Sequence, residues 1–185
     1  MGFTISVLAC ADAHKDAFLA VSGLRETDEA DPQNEAHLSG ASDGQHFFVW
    51  QNLHQAKMFG KPDYKAMSQS APFYRMEIVE SVNGASVQRF EGGDRVWWIE
   101  GGMTGFAVIG TPPITKDDLV ARLEATRKAN PQPDDDEYNP EKDAFGLATE
   151  AFAALTGFRY DEQTKLPFTV LEGQFPQKKA WWRFW

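Results

Sequence analysis

The side chains able to do chemistry in this chain are few and scattered. Cys10 stands where an apolar strand over residues 3–10 gives way to a helix, and a helix N-terminus lowers a thiol pKa. A nucleophilic cysteine also needs a base or an anion-binding loop. The residues that follow offer His14, but no arginine at phosphatase spacing and no glycine-rich cradle. A lone cysteine in such a strand reads as a small hydrophobe. Gly40-Ala41-Ser42-Asp43-Gly44 spells the G-x-S-x-G of a nucleophile elbow, which requires a buried strand before it and a helix after it. Here polar sequence precedes it and the strand-like His46-Phe47-Phe48-Val49-Trp50-Gln51 follows, so a glycine-rich loop is the expectation. His14, His37, His46 and His54 form no H-x-x-x-H pair and no zinc spacing with the single cysteine. Asp134-Asp135-Asp136-Glu137 lacks the glycine and the terminal glutamate of a calcium loop and reads as a solvated acidic loop. With no phosphate-binding glycine motif either, the sequence implies no metal and no cofactor and assembles no catalytic set.

Composition narrows the classes. The chain has 185 residues, long enough for one domain with a real core, and 42% hydrophobic with 13% aromatic residues argues against disorder. The net charge of −9 is spread along the chain, which disfavours nucleic-acid binding and suits a basic protein partner. One cysteine rules out an internal disulfide and points to a reducing compartment, hence a cytoplasmic location. The first residues lack the basic n-region of a signal peptide, and no window approaches a membrane span. Met1-Gly2 with Ser6 matches a myristoylation start only weakly.

The elements that must position these residues centre on 73–110, the densest run of β-branched and aromatic residues. Asn83-Gly84, Gly92-Gly93-Asp94 and residues 101–105 cut it into an antiparallel meander, with Asn83-Gly84 either a hairpin turn or a bulge. Trp97 and Trp98 should then face opposite sides of the sheet. Around the meander, residues 13–22 read as a short helix capped by Asp12 and ended by Gly23, and 25–45 as a long surface loop. Residues 62–70 read as a helical turn. Thr115 to Asp118 form a capping box for a helix to about 129, and a second helix runs from 140 or 143 to 156. A last strand is expected at 168–171. The sum is a single α+β domain over 1–176, mainly an antiparallel sheet with two or three helices on one face, followed by an aromatic and basic tail over 177–185.

The run Leu155-Thr156-Gly157-Phe158-Arg159-Tyr160-Asp161-Glu162 resembles a helix-ending LTG-aromatic-Arg-x-Asp-Glu motif. That motif belongs to an uncharacterised family of small bacterial proteins, which also carry a Trp-rich strand–turn–strand and a charged, proline-flanked loop before the last helix. The resemblance spans roughly residues 40–162 and implies a bacterial source and a fold, but no activity. The motif also has a local account, with Gly157 as helix cap and Arg159 pairing with Asp161 or Glu162.

The functional expectation is a non-catalytic protein-binding module, concretely a cytoplasmic immunity-type protein that neutralises a basic toxin by occlusion. Asp134, Asp135, Asp136 and Glu137 would steer the partner, the polar stretch 26–35 would add contact, and Trp181 and Trp182 would anchor it or form a homodimer through the tail. The alternative is an enzyme whose site gathers Cys10, His46, His54 and Asp161 in space.

Overall fold

Strand β1 (Thr4–Ala11) is buried at every position from Ile5 to Cys10, the pattern of a strand covered on both faces. The computed structural model, which describes residues 4–53, 62–131, 138–160 and 166–175, places it at the centre of a mixed-length antiparallel sheet. Its neighbours are β4 (His46–Asn52) and β5 (Phe73–Val79). The other strands are β2 (Leu24–Ala30), β3 (Leu38–Ser42), β6 (Gly84–Glu91), β7 (Asp94–Gly102), β8 (Gly105–Ile109) and β9 (Thr169–Gly173). Together the described residues form nine strands in the order β2-β9-β3-β4-β1-β5-β6-β7-β8.

Among the described residues four helices cover this sheet, on two faces rather than the one expected. Ile5, Val7 and Ala9 point to one side, where Phe48, Met76, Ile78, Val87, Trp97 and Ile99 meet α3 (Lys116–Ala129) and α4 (Ala144–Thr156). Leu8 and Cys10 point to the other, where Phe47, Val49, Phe73 and Phe90 meet Phe18 of α1 (Lys15–Ser22) and Met67 of α2 (Tyr64–Ser70). The short, amphipathic α1 and α2 have only part of a face to bury, so they cover one end of the second side.

The meander β5–β8 lies where the glycine signals put it. Asn83, at φ 46°, takes the left-handed conformation that closes the β5–β6 hairpin, so the turn reading holds and the bulge reading there does not. A bulge occurs instead in β7, where Phe90 pairs with Arg95 and Arg89 with Trp97, leaving Val96 extra. It brings Arg95 to the same side as Trp98, with the guanidinium 3.6 Å from the indole centroid. Trp97 faces α3 and α4 and is buried, so the two indoles do part.

Three expectations change. The stretch 25–45 is not one loop; it holds β2 and β3, joined across a turn that Asp31 organises by accepting from the N–H groups of Glu35 (2.9 Å) and Ala36 (3.1 Å) and from the Ser39 hydroxyl. β2 is polar because it is an edge strand, and β3 is small because β9 and β4 enclose it. Asp12 does not cap α1. It accepts from Ser42 Oγ, and residues 12–14 form a 3-10 turn without a side-chain cap. Val82, in the stretch before Asn83-Gly84 that the sequence reads as meander strand, sits in the 80–82 turn and is exposed.

The helix signals hold more closely. Thr115 and Asp118 make the reciprocal capping box of α3, and Asp143 caps α4 through Gly146 N–H at 2.8 Å. Gly157, at φ 74°, ends α4, and Phe158 returns to Phe48 with ring centroids 4.9 Å apart. Arg159 pairs with the buried Glu150 of α4, which also takes Arg122 of α3 at 2.8 Å; Asp161 and Glu162 lie outside the described residues. The motif's arginine thus turns back onto α4, whose Glu150 is the group that links that helix to α3. Among the described residues no helix is long and apolar enough to cross a membrane.

Helix α4 starts directly on β7. A Cβ on Gly101 would lie 1.7 Å from the Ala144 carbonyl oxygen, which only backbone movement can relieve. Gly101→Ala is therefore expected to destabilise the fold by about 3 kcal/mol, read as a lowered urea midpoint at unchanged m-value. A midpoint equal to wild type would mean that α4 does not rest there.

Candidate functional site

On the second side of the sheet, beyond the reach of α1 and α2, the inward pattern turns polar. Strand register sets one transverse row: Gln51 pairs with Ser6, Ser6 with Glu77, Glu77 with Ser86, and Ser86 with Glu100. The next row toward the helices pairs Arg75 with Gln88 and Gln88 with Trp98. Since neighbours across an antiparallel ladder share a face, these side chains form a continuous polar band across five strands. Tyr64 of α2 marks its border, tilted against Phe90 with ring centroids 5.2 Å apart and the Arg75 guanidinium 5.0 Å from its ring. Burial raises the Tyr64 pKa, so the phenol stays neutral.

The band runs from dry to open. Ser6 and Gln51 are buried, and neither the Ser6 hydroxyl nor the Gln51 amide oxygen or nitrogen has a hydrogen-bond partner. Arg75 pairs with Glu77, and Gln88 Nε2 donates to Ser86 Oγ at 3.3 Å. At the far end Glu77, Ser86, Gln88 and Glu100 line a trough of about 500 Å³, rimmed by Val82 and by Met103 of the β7–β8 turn. Two strand spacings separate Glu77 from Glu100, about 10 Å. Glu100 is exposed and can receive a cationic group from outside, while Glu77 already holds Arg75. Among the described residues no cluster of three His, Cys, Asp or Glu side chains has the arrangement to hold a metal ion.

The residues singled out by sequence fall elsewhere. Cys10 is buried against Phe18 and Phe73 on the α1 side, while His46, on the adjoining strand, points to the opposite side with its ring 5.9 Å from Phe48. Cys10 pairs with Phe47 and Ala11 with His46, so thiol and imidazole have the sheet between them. Ser42 ends β3, donates to Asp12 and accepts from Gly44 N–H at 3.1 Å, which makes it a turn residue. In the stretch 26–35, Glu26 pairs with Lys15 at 2.7 Å and Asp28 and Glu29 are exposed on the edge strand β2. Asp134, Asp135, Asp136, Glu137, Trp181 and Trp182 lie outside the described residues, as do His54 and Asp161.

Sequence reasoning passed over Glu77, Ser86, Gln88 and Glu100 because alternation alone makes the second face of a meander look like ordinary solvent surface. A signal existed nonetheless. Ser6 and Gln51 are polar residues at buried positions of β1 and β4, and they stand in the same row.

Two outcomes follow. Burial pushes the Cys10 thiol up to about 12 from 9.0, so it stays protonated and inert at neutral pH. A thiol reagent at pH 8 should label it only as the chain unfolds; the raised pKa also makes its share of stability, complete below pH 9.0, fall away as pH rises toward about 12. Fast labelling of folded protein would contradict this burial. Separately, Ser6→Ala with Gln51→Leu removes unpartnered buried polar atoms and should stabilise the fold by about 1–2 kcal/mol in urea melts. A loss of stability would mean that these groups are hydrogen-bonded in solution.

Searches of protein-family models, of curated proteins and of solved structures found no match to this chain.

Proposed function

We propose that this chain is a non-catalytic protein-binding module, an immunity-type protein of the bacterial cytoplasm that occludes a basic toxin. The observation that carries the reading is the polar band ending in an open trough between Glu77 and Glu100, on a side of the sheet that its own helices leave partly uncovered. Such a trough receives a lysine or arginine of a partner, while the exposed Val82 and Met103 at its rim supply apolar contact. The acidic edge β2 and the net charge of −9 favour fast encounter with a basic surface. Asp134, Asp135 and Asp136 would add to that steering, and Trp181 and Trp182 to the anchoring.

A bacterial origin rests on the resemblance of the LTG-aromatic-Arg segment, and a cytoplasmic location on the single, buried cysteine. The enzyme reading built on Cys10 and His46 is the weaker one, because those groups stand on opposite faces of the sheet.

The test is affinity capture from the source organism with identification by mass spectrometry, followed by kinetics on the captured partner. Glu100→Lys and Glu77→Lys should slow association about ten-fold or more and raise dissociation, and Asp134→Lys with Asp136→Lys should slow association alone. Raising salt from 0.05 to about 0.5 M should erase most of the wild-type rate advantage. Capture of no protein, or association equally fast at both salt concentrations, would end the proposal.

A further inference from the structure

The two edges of the sheet are built differently. β2 carries Arg25, Glu26, Asp28 and Glu29, the charged kind of edge that discourages strand addition. β8 is Gly-Phe-Ala-Val-Ile, and residues 101–115 contain no charged side chain at all. Ala107, Val108 and Ile109 are exposed, and among the described residues no strand pairs with the outer side of β8. An uncharged, exposed edge with no proline in it is a template for another strand.

We infer that β8 pairs antiparallel with β8 of a second copy, about a two-fold axis at Ala107, to give one continuous sheet through the dimer. The hydrogen-bond parity fits. Gly102 and Gly105 close a two-residue hairpin and form its hydrogen-bonded pair, so by alternation Phe106 and Val108 turn their N–H and C=O groups outward. An axis at Ala107 sets Phe106 opposite the second copy's Val108, and Val108 opposite its Phe106, with both outward pairs satisfied.

The side chains fit the same register. Phe106 and Val108 lie on the α3–α4 side, where the match is aromatic against β-branched, a favourable cross-strand pair. On the other side Ile109 meets Gly105, and Ala107 meets itself, so no two large groups collide. β8 against β2 of another copy would instead press apolar side chains on a charged edge, and this disfavours an open filament. The axis also extends the polar band. Ala107 pairs with Glu100, so the rows of the two copies join end to end with both troughs on one side of the dimer. The inference does not depend on the proposed partner.

Two strands of this length bury less than a standard interface, so the dimer is weak, with a dissociation constant of roughly 10–1000 μM. Because each copy carries −9, association should tighten as salt rises, the opposite of the response expected for a basic partner.

Sedimentation of the full chain over that concentration range should show monomer and dimer in exchange. Ala107→Glu sets two like charges face to face and should weaken the dimer about ten-fold or more, with an unchanged circular-dichroism spectrum. Ala107→Cys should form an intermolecular disulfide on mild oxidation, since Cα atoms of a non-hydrogen-bonded pair stand about 4.5 Å apart. Val108→Cys should not, because its two copies would be roughly 9 Å apart in this register. A strict monomer up to about 1 mM, a dimer indifferent to Ala107→Glu, or cross-linking no better at 107 than at 108 would each overturn the inference.

Discussion

The constraint on which the rest depends is that β1 is covered from both sides. A strand with one wet face can alternate, whereas this one must be apolar nearly throughout, and its six buried positions send Ile5, Val7 and Ala9 one way and Ser6, Leu8 and Cys10 the other. One consequence is a division of labour between helix pairs. α3 and α4, with Leu119, Leu123, Leu147, Ala148, Ala151 and Phe152, fill one side, and the smaller α1 and α2 close part of the other. Another is that side chains on adjacent strands share a site only if their parity agrees. Cys10 and His46 fail that condition, and Ser6, Glu77, Ser86 and Glu100 meet it.

Partial covering explains where polar groups are tolerated. Near α1 and α2 the second side is aromatic, with Phe73 and Phe90 stacked at 5.1 Å and Phe18 edge-on to Phe73. One row further it changes to Arg75 and Gln88, and one row beyond that to Ser6, Glu77, Ser86 and Glu100. The charged members are paired or open to water, as Arg75 with Glu77 and as exposed Glu100. Ser6 and Gln51 are neither. Their unpartnered atoms cost stability that a fold does not need for packing, since alanine and leucine would fill the same positions. That residual cost is the physical reason to regard the band as more than surface.

Much of the fold was legible because local chemistry and tertiary role agreed. Asn83, Gly92, Gly93 and Gly157 all take the positive φ that their sequence context requires, and Thr115 with Asp118 forms the cap their spacing spells. What stayed hidden was decided by partners distant in sequence. β2 looks like a loop because an edge strand needs few apolar residues, and it becomes a strand by pairing with β9, where Thr27 Oγ1 donates to Val170 O at 2.9 Å. β9 was visible as a strand but not as an interior one. Its place between β2 and β3 follows from Leu171, which packs so closely that a Cβ on Gly40 would come within 3.0 Å of its methyl carbon. Glycine in β3, read from sequence as part of a loop, is therefore a packing requirement.

The same parity rule links trough and edge. Residues of β7 that face α4 must be small where the helix begins, as Gly101 is, and their neighbours Trp98 and Glu100 must face the opposite side. β8 inherits that pattern by pairing, so Ala107 falls beside Glu100 and Val108 beside Ile99. Beside Glu100 the edge is small and uncharged, and the backbone groups of Phe106 and Val108 point outward. The outward backbone groups of β8 lie in the plane of the sheet, while Glu77 of β5 and Glu100 of β7 project from its face, so edge and trough point in perpendicular directions.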